Sequence, residues 1–460
     1  MAAAQASYRA SRYVSMHHND DGTMTLHSAR TGAIGTVDAD QADTARKALL
    51  PSALVTGPLE GLLADLELGG FLVETDFDET LATHESYISR YTRKKLHLII
   101  MPTEECNFRC VYCYESFMRG TMSDEMQEAV LKFVRSHDDL TSMNLQWFGG
   151  EPLLAHRVVR DITEAVRLHC EEIGADFVSG ATTNGSLLTP EIADAVIAAG
   201  VTSYQITLDG TEEEHDHRRV GAAGEKTFTT ILENLRYLHR STHEFSVMLR
   251  HNFDPDSMEH LDAYLEMLSA EFGGDSRFVT NFEAIGRWGG ANDEDLTVYE
   301  GLDAPRAIAK ARRQASAAGF TDAMTVAAMA PEGYVCYAAD PNSFVIGSDG
   351  KLYKCTVELD YHDRNIVGQL RPDGVMDLDW RKMALWCESD GMDAAEGKKC
   401  TSCWFSPSCK GAICPKEWMD GGDVTCAPAK STIQETLSFI HEESLYSRIR
   451  TAQTGYCPKG

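Results

Sequence analysis

The chain has 460 residues, with 42 basic against 70 acidic side chains and a formal charge of −28. Its length predicts two or three domains with well-buried cores, and a hydrophobic share of 43% excludes a disordered or fibrous chain. The acid excess argues against nucleic acid, no apolar run reaches the roughly 18 residues of a membrane span, and Met1–Arg12 lacks a secretory signal's apolar stretch. A cytoplasmic protein with no nucleic-acid or membrane partner is therefore expected.

Residues 1–93 read as short strands followed by helices. Met24–Leu26 and Ile34–Val37 are strand pieces, with turns at Asp20–Gly22 and Thr31–Gly32. Asp38 or Asp40 caps a helix through Leu50, and Leu59, Leu62, Leu63 and Leu66 recur at helical spacing until Gly69 and Gly70 stop them. The segment has the size of a winged-helix-like module. A plain extension packed on the main body is the alternative.

From Leu96 the pattern alternates. His97–Met101, Asn144–Phe148, Phe177–Thr182, Tyr204–Leu208, Phe245–Arg250 and Arg277–Phe282 are buried-strand candidates separated by amphipathic helices. One helix is fully punctuated, with Thr189 as N-cap, Pro190 in the first turn and Gly200 at the end. Six β-then-α units over 94–319 predict a parallel sheet with helices outside, doubly wound or a partial barrel. Its chemistry belongs at the carboxyl ends of the strands. After Gly319 the rhythm stops. Phe344–Ile346 and Lys351–Tyr353 flank Asp349 and Gly350 as a hairpin, and the rest of 320–460 is loop-rich, with too little apolar periodicity for a core. Ligated metal is the expected substitute.

The cysteines concentrate the argument. Thirteen occur, none before Cys106 and nine between Cys336 and Cys457. Without a secretory signal they read as thiols or metal ligands. Cys106, Cys110 and Cys113 form C-x3-C-x2-C directly after the first strand. Three thiolates hold three corners of a 4Fe–4S cube and leave the fourth iron open, and an open position is a catalytic feature. A zinc site short of a ligand, or three unrelated thiols, is the plain alternative. Cys170 on a helix reads as a packed thiol.

This motif, with Tyr112 before its last cysteine, resembles the signature of the radical S-adenosylmethionine (radical SAM) superfamily. Further pieces follow in order: Gly149, Gly150, Glu151 and Pro152 after the second strand, Thr183–Gly185 after the third and Thr207–Gly210 after the fourth. His215, Asp216 and Arg218 come next, then Leu249–Asn252 ending the fifth. The resemblance implies a partial (β/α)6 TIM-like barrel whose three cysteines bind a cluster, with S-adenosyl-L-methionine on the open iron. It places Gly149, Gly150 and Glu151 beside the methionine ammonium, and Asn184 and Arg250 against ribose and carboxylate. Structural ion pairing is the plain reading of Glu151 and Arg250; a tight turn is that of Asp209 and Gly210.

Cys336, Cys355, Cys400, Cys403, Cys409, Cys414 and Cys426 resemble in order the SPASM extension, which implies two auxiliary 4Fe–4S clusters and so three in all. By that resemblance Cys400, Cys403, Cys409 and Cys426 complete one cluster, while Cys336, Cys355 and Cys414 give three ligands to the other. Lys410–Ile413 puts four residues where the family pattern has three. The fourth ligand of the second cluster is Cys387, Cys457 or an open position. Paired zinc knuckles are the plain alternative.

The family mechanism implied is reductive cleavage of S-adenosylmethionine to a 5′-deoxyadenosyl radical, fed by an external one-electron donor such as flavodoxin or ferredoxin. The auxiliary clusters would take up the electron left on product. Thr207–Arg218, Arg250–Asn252 and Asn281–Gly290 look more like maturases that crosslink a ribosomally made precursor peptide, through a thioether or carbon–carbon bond, than sulfatase activators. Residues 1–93 would then grip the leader peptide. The runner-up is an anaerobic sulfatase-maturating, formylglycine-forming enzyme. A non-catalytic iron–sulfur scaffold is the third reading, opposed by the complete cysteine motif together with Gly149–Pro152.

Overall fold

The computed structural model describes residues 6–454 apart from 93, 302, 323, 360–361, 389–399, 410–413 and 421–425. The chain divides into two compact units, one of Met1–Thr92, Met324–Pro341 and Leu385–Gly460, the other of Arg93–Ala323 and Asn342–Ala384. Among the described residues, no helix is long and apolar enough to cross a membrane.

The second unit is α/β with a mostly parallel central sheet. Strands β1 (Lys95–Ile100), β2 (Ser142–Trp147), β3 (Asp176–Thr183), β4 (Ser203–Thr207), β5 (Ser246–Phe253) and β6 (Phe278–Ala284) lie side by side in chain order, all parallel. Helices α1 (Asp124–Arg135), α2 (His156–Ile173), α3 (Pro190–Ala199), α4 (Phe228–Arg240), α5 (Leu261–Phe272) and α6 (Asp303–Ala317) follow them one by one. Each helix has a local cause. In α1, Ser123 accepts from the Met126 amide, with Asp124 and Glu125 in the first turn and Lys132 and Arg135 in the last, which suits the helix dipole. In α2, Val158, Val159, Ile162, Val166 and Cys170 repeat on one buried face before Gly174 turns left-handed. Cys170 is fully buried there, a packed thiol. Trp147 is also fully buried, and its indole donates to Thr163 at 3.0 Å. Packing accounts for it.

Beyond the six units the sheet continues. The hairpin at Asp349 and Gly350 forms, with Ser343–Ile346 antiparallel to Lys351–Tyr353. Its first strand, which we label β7, also pairs in parallel with β1, and Ile366–Leu370 and Met376–Leu378 complete a ten-stranded sheet. All four residues of β7 are buried, so the strand needs cover on both faces and a partner on each edge.

The first unit begins with two three-stranded sheets. One sets Ser7–Ala10 between Val55–Thr56 and Leu72–Glu74; the other sets Met24–Ser28 between Val14–His18 and Ile34–Val37. A core of Met24, Leu26, Val37, Ala45, Leu49, Leu66, Phe71 and Leu72 joins them to short helices. Neither Asp38 nor Asp40 caps the first helix. A turn from the Gln41 amide to the Asp38 carbonyl intervenes, and Gln41 occupies the cap position without a side-chain bond. Helix Glu79–Ser89 has no apolar stripe to announce it; Asp78 caps it, and buried Glu79 pairs with Arg9 at 2.6 Å.

A second core crosses large sequence distances: Tyr13 and Ala29 pack with Met329, Phe405, Cys409, Ala427 and Leu437. Leu437 lies on helix Ile433–Thr454, whose Gln434 donates to the Met16 carbonyl at 3.1 Å. The C-terminal cysteine region therefore does have an apolar core, completed by Tyr13 and Ala29 from the N-terminal segment. Leu437→Ala should cost about 2–5 kcal/mol, measurable by denaturant unfolding of anaerobically handled protein. It should also speed proteolysis within residues 6–92; unchanged cleavage there would show that this core does not hold the N-terminal strands.

Candidate active site

The cysteine loop is tied down on two sides. Strand Phe108–Cys110 pairs antiparallel with Arg219–Gly221, with Cys110 opposite Arg219. The ladder is extended by the Val111 amide on the Arg218 carbonyl at 2.9 Å and the Ala222 amide on the Asn107 carbonyl at 2.8 Å. On the other side the glycines after β2 press against the backbone before Cys106. A Cβ on Gly149 would lie 2.3 Å from the Thr103 carbonyl oxygen, and one on Gly150 would lie 2.4 Å from that of Glu104. Gly149 also has φ +119°, open to glycine alone at low cost. Glycine is required here for close approach.

Cys106 Sγ accepts from the Phe108 amide at 3.3 Å, and the Cys113 amide bonds to the Cys110 carbonyl at 3.1 Å. None of the three thiols is in a disulfide. Burial pushes Cys106 up to about 12, Cys113 up to about 11, and Cys110 upward as well, with each feeling the other cysteines or nearby carboxylates. As bare thiolates they have only single amide donors and the Arg219 charge to set against burial, a shortfall that a cationic centre relieves. The donor set of three soft thiols fits an iron–sulfur cluster.

Glu151 is fully buried. It accepts from the Leu153 amide at 2.9 Å, Thr183 Oγ1 at 2.7 Å and the Asn184 amide at 2.7 Å. Burial raises its pKa against these bonds, and a carboxylate with three acceptor sites filled has room for one more donor. Asn184 is engaged within the loops: Nδ2 donates to Asn107 Oδ1 at 2.8 Å, while Oδ1 accepts from Ser186. Arg250 donates through Nε to Asn252 Oδ1 at 2.8 Å. Glu151 and Arg250 do not pair with each other; Glu151 lies in the loop after β2 and Arg250 within β5.

The loops after β4 and β5 meet on Tyr112. Its hydroxyl bonds to Asp209 Oδ2 and accepts from Arg219 Nη1 at 2.7 Å and Asn252 Nδ2 at 3.2 Å. Asp209 also accepts from the Asn252 amide at 2.8 Å, so it is a network centre as well as a turn residue. The Asp209 amide donates to His215 Nδ1 at 3.2 Å, and His215 Nε2 meets Thr227 Oγ1 at 3.1 Å. Burial lowers His215 to about 2, keeping it neutral. Asp216 caps α4 through the Thr227 and Phe228 amides. Arg218 points away from this network. It pairs with Asp254 at 2.7 Å and lines a cavity of about 460 Å³ with Val111, Asp256, Asn292 and Asp295. The residue that sequence reading missed is Arg219, whose strand register alone distinguishes it from its neighbour.

In the first unit, Cys400 opens a turn whose carbonyl accepts from the Cys403 amide at 3.0 Å, and Cys409 ends helix Ser406–Cys409. Lys430 Nζ donates to Cys426 Sγ at 3.2 Å and also bonds Cys403, bringing two thiols to one cation; no motif had singled it out. Cys336 precedes the turn Tyr337–Ala339, and Cys414 precedes helix Pro415–Met419 with its thiol pushed up by burial. Buried Cys387 offers its carbonyl to Arg90 at 2.5 Å. Cys355, in the other unit, is held by Asn365 through both its amide and its carbonyl. Cys457 and the insertion Lys410–Ile413 lie outside the described residues.

Residues 100–268 match the model of the Radical SAM superfamily. That region of the chain is a radical SAM domain. The chain is 25% identical over 351 residues to the mycofactocin maturase MftC of Mycobacterium ulcerans, covering 70% of this chain and 85% of that one. Its fold is similar to that of anSMEcpe with bound AdoMet (TM-score 0.56, 18% identity, 77% of this chain and all of that one, 100%). It is also similar to Streptococcus suis SuiB bound to precursor peptide SuiA (TM-score 0.50, 13% identity, 91% and 98%).

Gly150→Ala isolates the loop contact, since no unusual φ is involved. It should cost about 1–3 kcal/mol through overpacking. Gly174→Ala, with φ +72° but nothing within 4 Å of its new methyl, should leave bound iron unchanged. Iron content falling in the first variant and not the second checks the contact; equal iron in both would refute it.

Proposed function

We propose that the chain is a radical SAM maturase that crosslinks a precursor peptide by net two-electron oxidation. The observation that carries the reading is the meeting of the Cys106–Cys113 loop, the Gly149–Glu151 loop and the ends of β3, β4 and β5 at one end of the parallel sheet. The six strands in sequential order support a partial (β/α)6 barrel. The MftC relative, named a maturase, and the fold shared with peptide-bound SuiB support a peptide substrate.

Cys106, Cys110 and Cys113 would hold the catalytic 4Fe–4S cluster. With S-adenosyl-L-methionine it supplies a radical able to take hydrogen from an unactivated carbon. Glu151 presents its remaining acceptor site to an ammonium group, Arg250 its free guanidinium nitrogens to a carboxylate, and Tyr112, Gly149, Gly150 and Asn184 shape the rim. Cys400, Cys403, Cys409 and Cys426 would hold an auxiliary cluster, a reading supported by Lys430 bridging two of them. Cys336, Cys355 and Cys414 keep the ligand role given by resemblance to the SPASM extension. Flavodoxin or ferredoxin would supply the electron.

The leader peptide would add a strand to the winged-helix-like N-terminal sheets, affinity coming from main-chain bonds. Ile34–Val37 is the favoured edge, because Gln434 already engages Met16 on the opposite one. Binding there raises the effective concentration of the core segment. Added peptide should slow amide exchange in Ile34–Val37; unchanged exchange there, with peptide bound, would overturn this placement.

Anaerobic reconstitution should give about 12 iron atoms per chain, of which alanine at Cys106, Cys110 and Cys113 removes about a third together with all 5′-deoxyadenosine formation. Zinc as the dominant metal in anaerobically purified protein would end the reading. A crosslinked peptide loses two hydrogens, so its mass should fall by about 2 Da. The sulfatase reading predicts an aldehyde instead, which a hydrazide probe labels. Labelling of a sulfatase-derived peptide, with no mass loss in any peptide encoded beside the gene, would replace crosslinking with formylglycine formation.

A further inference from the structure

We infer that Arg219 is a positioning residue that sets both the geometry and the reduction potential of the cysteine-loop cluster, an inference that rests on the radical SAM reading. Arg219 is 8% exposed, an unusual place for a guanidinium unless its charge is used. Its backbone pairs with Cys110, its Nη1 donates to Tyr112 at 2.7 Å, and its guanidinium lies 5.8 Å from the centre of the Phe108 ring. One side chain therefore engages Phe108 and Tyr112, the residues two before and two after Cys110.

The carboxylates Asp209 and Glu151 surround the same loop, so adding an electron to a thiolate-bound cluster there places further negative charge in a buried, already acidic setting. A buried guanidinium offsets that charge and favours the reduced cluster, since net charge and hydrogen bonds to sulfur set such potentials. Arg219 Nε is buried and has no hydrogen-bond partner. A buried N–H donor without an acceptor is costly, and a cluster or thiolate sulfur is an acceptor of the right kind. Arg218 cannot substitute, because its charge is paired with Asp254.

The test is a redox titration of the full chain followed by electron paramagnetic resonance, reading the reduced-cluster signal that changes when S-adenosylmethionine is added. Arg219→Met should lower the reduced-to-oxidised ratio at a fixed potential about tenfold, which is about 59 mV for a one-electron couple. Arg219→Lys keeps the charge and loses the fork, so its shift should be clearly smaller. Asp209→Asn removes an anion and should shift the ratio the other way, which keeps the test open where Arg219→Met fails to hold iron. Equal potentials in wild type, Arg219→Lys and Arg219→Met would overturn the inference, as would equal shifts in the two arginine variants. A wild-type chain with no signal sensitive to S-adenosylmethionine would instead overturn the underlying reading.

Discussion

Everything at the candidate site depends on a backbone ladder three residues long, Phe108–Cys110 against Arg219–Gly221. A loop bearing three cysteines has many conformations, and fixing each residue costs about 1–2 kcal/mol in backbone entropy. The ladder meets part of that cost before any ligand arrives. It also fixes which way each side chain faces, because alternate residues on a strand point to opposite sides. Arg219 and Cys110 thus become neighbours, while Arg218 is sent to Asp254.

The second constraint is electrostatic. The loop collects thiols, Glu151 and Asp209 in a buried place, with burial working against the ionised thiols and Glu151. Such a collection is stable only where hydrogen bonds and opposite charge compensate it. Glu151 has two backbone amides and a threonine hydroxyl; Asp209 has the Asn252 amide and the Tyr112 hydroxyl. The thiols have little beyond single amide donors and Arg219, and that shortfall makes a metal cluster the natural occupant. Glycines 149 and 150 complete the arrangement by letting two backbones meet where any side chain would hold them apart.

In the other unit, N-terminal strands, the Met324–Pro341 segment and the C-terminal cysteine region fold on shared cores. Tyr13 packs in one cluster with Phe405 and Leu437, hundreds of residues further along the chain. A metal cluster held by these cysteines, as proposed, would act together with that apolar burial, each reducing the entropy the other must overcome. Lys430 adds a charge-assisted contact to two of the thiols.

The sequence by itself determined the α/β class, the six strand-and-helix pairs, the hairpin at Asp349 and Gly350, and the cysteine and Gly149–Glu151 motifs. These are local signals: a period of two or 3.6, a cap such as Thr189, or a fixed spacing of ligands. Only tertiary structure decided that β7 joins the parallel sheet, that Arg219 rather than Arg218 serves the cysteine loop, and that Asp209 links Tyr112 to Asn252. It also decided that residues near both ends of the chain share a core. In each case the partner is distant in sequence, and the choice turns on strand register, edge pairing or packing volume. Those quantities exist only once two segments have met.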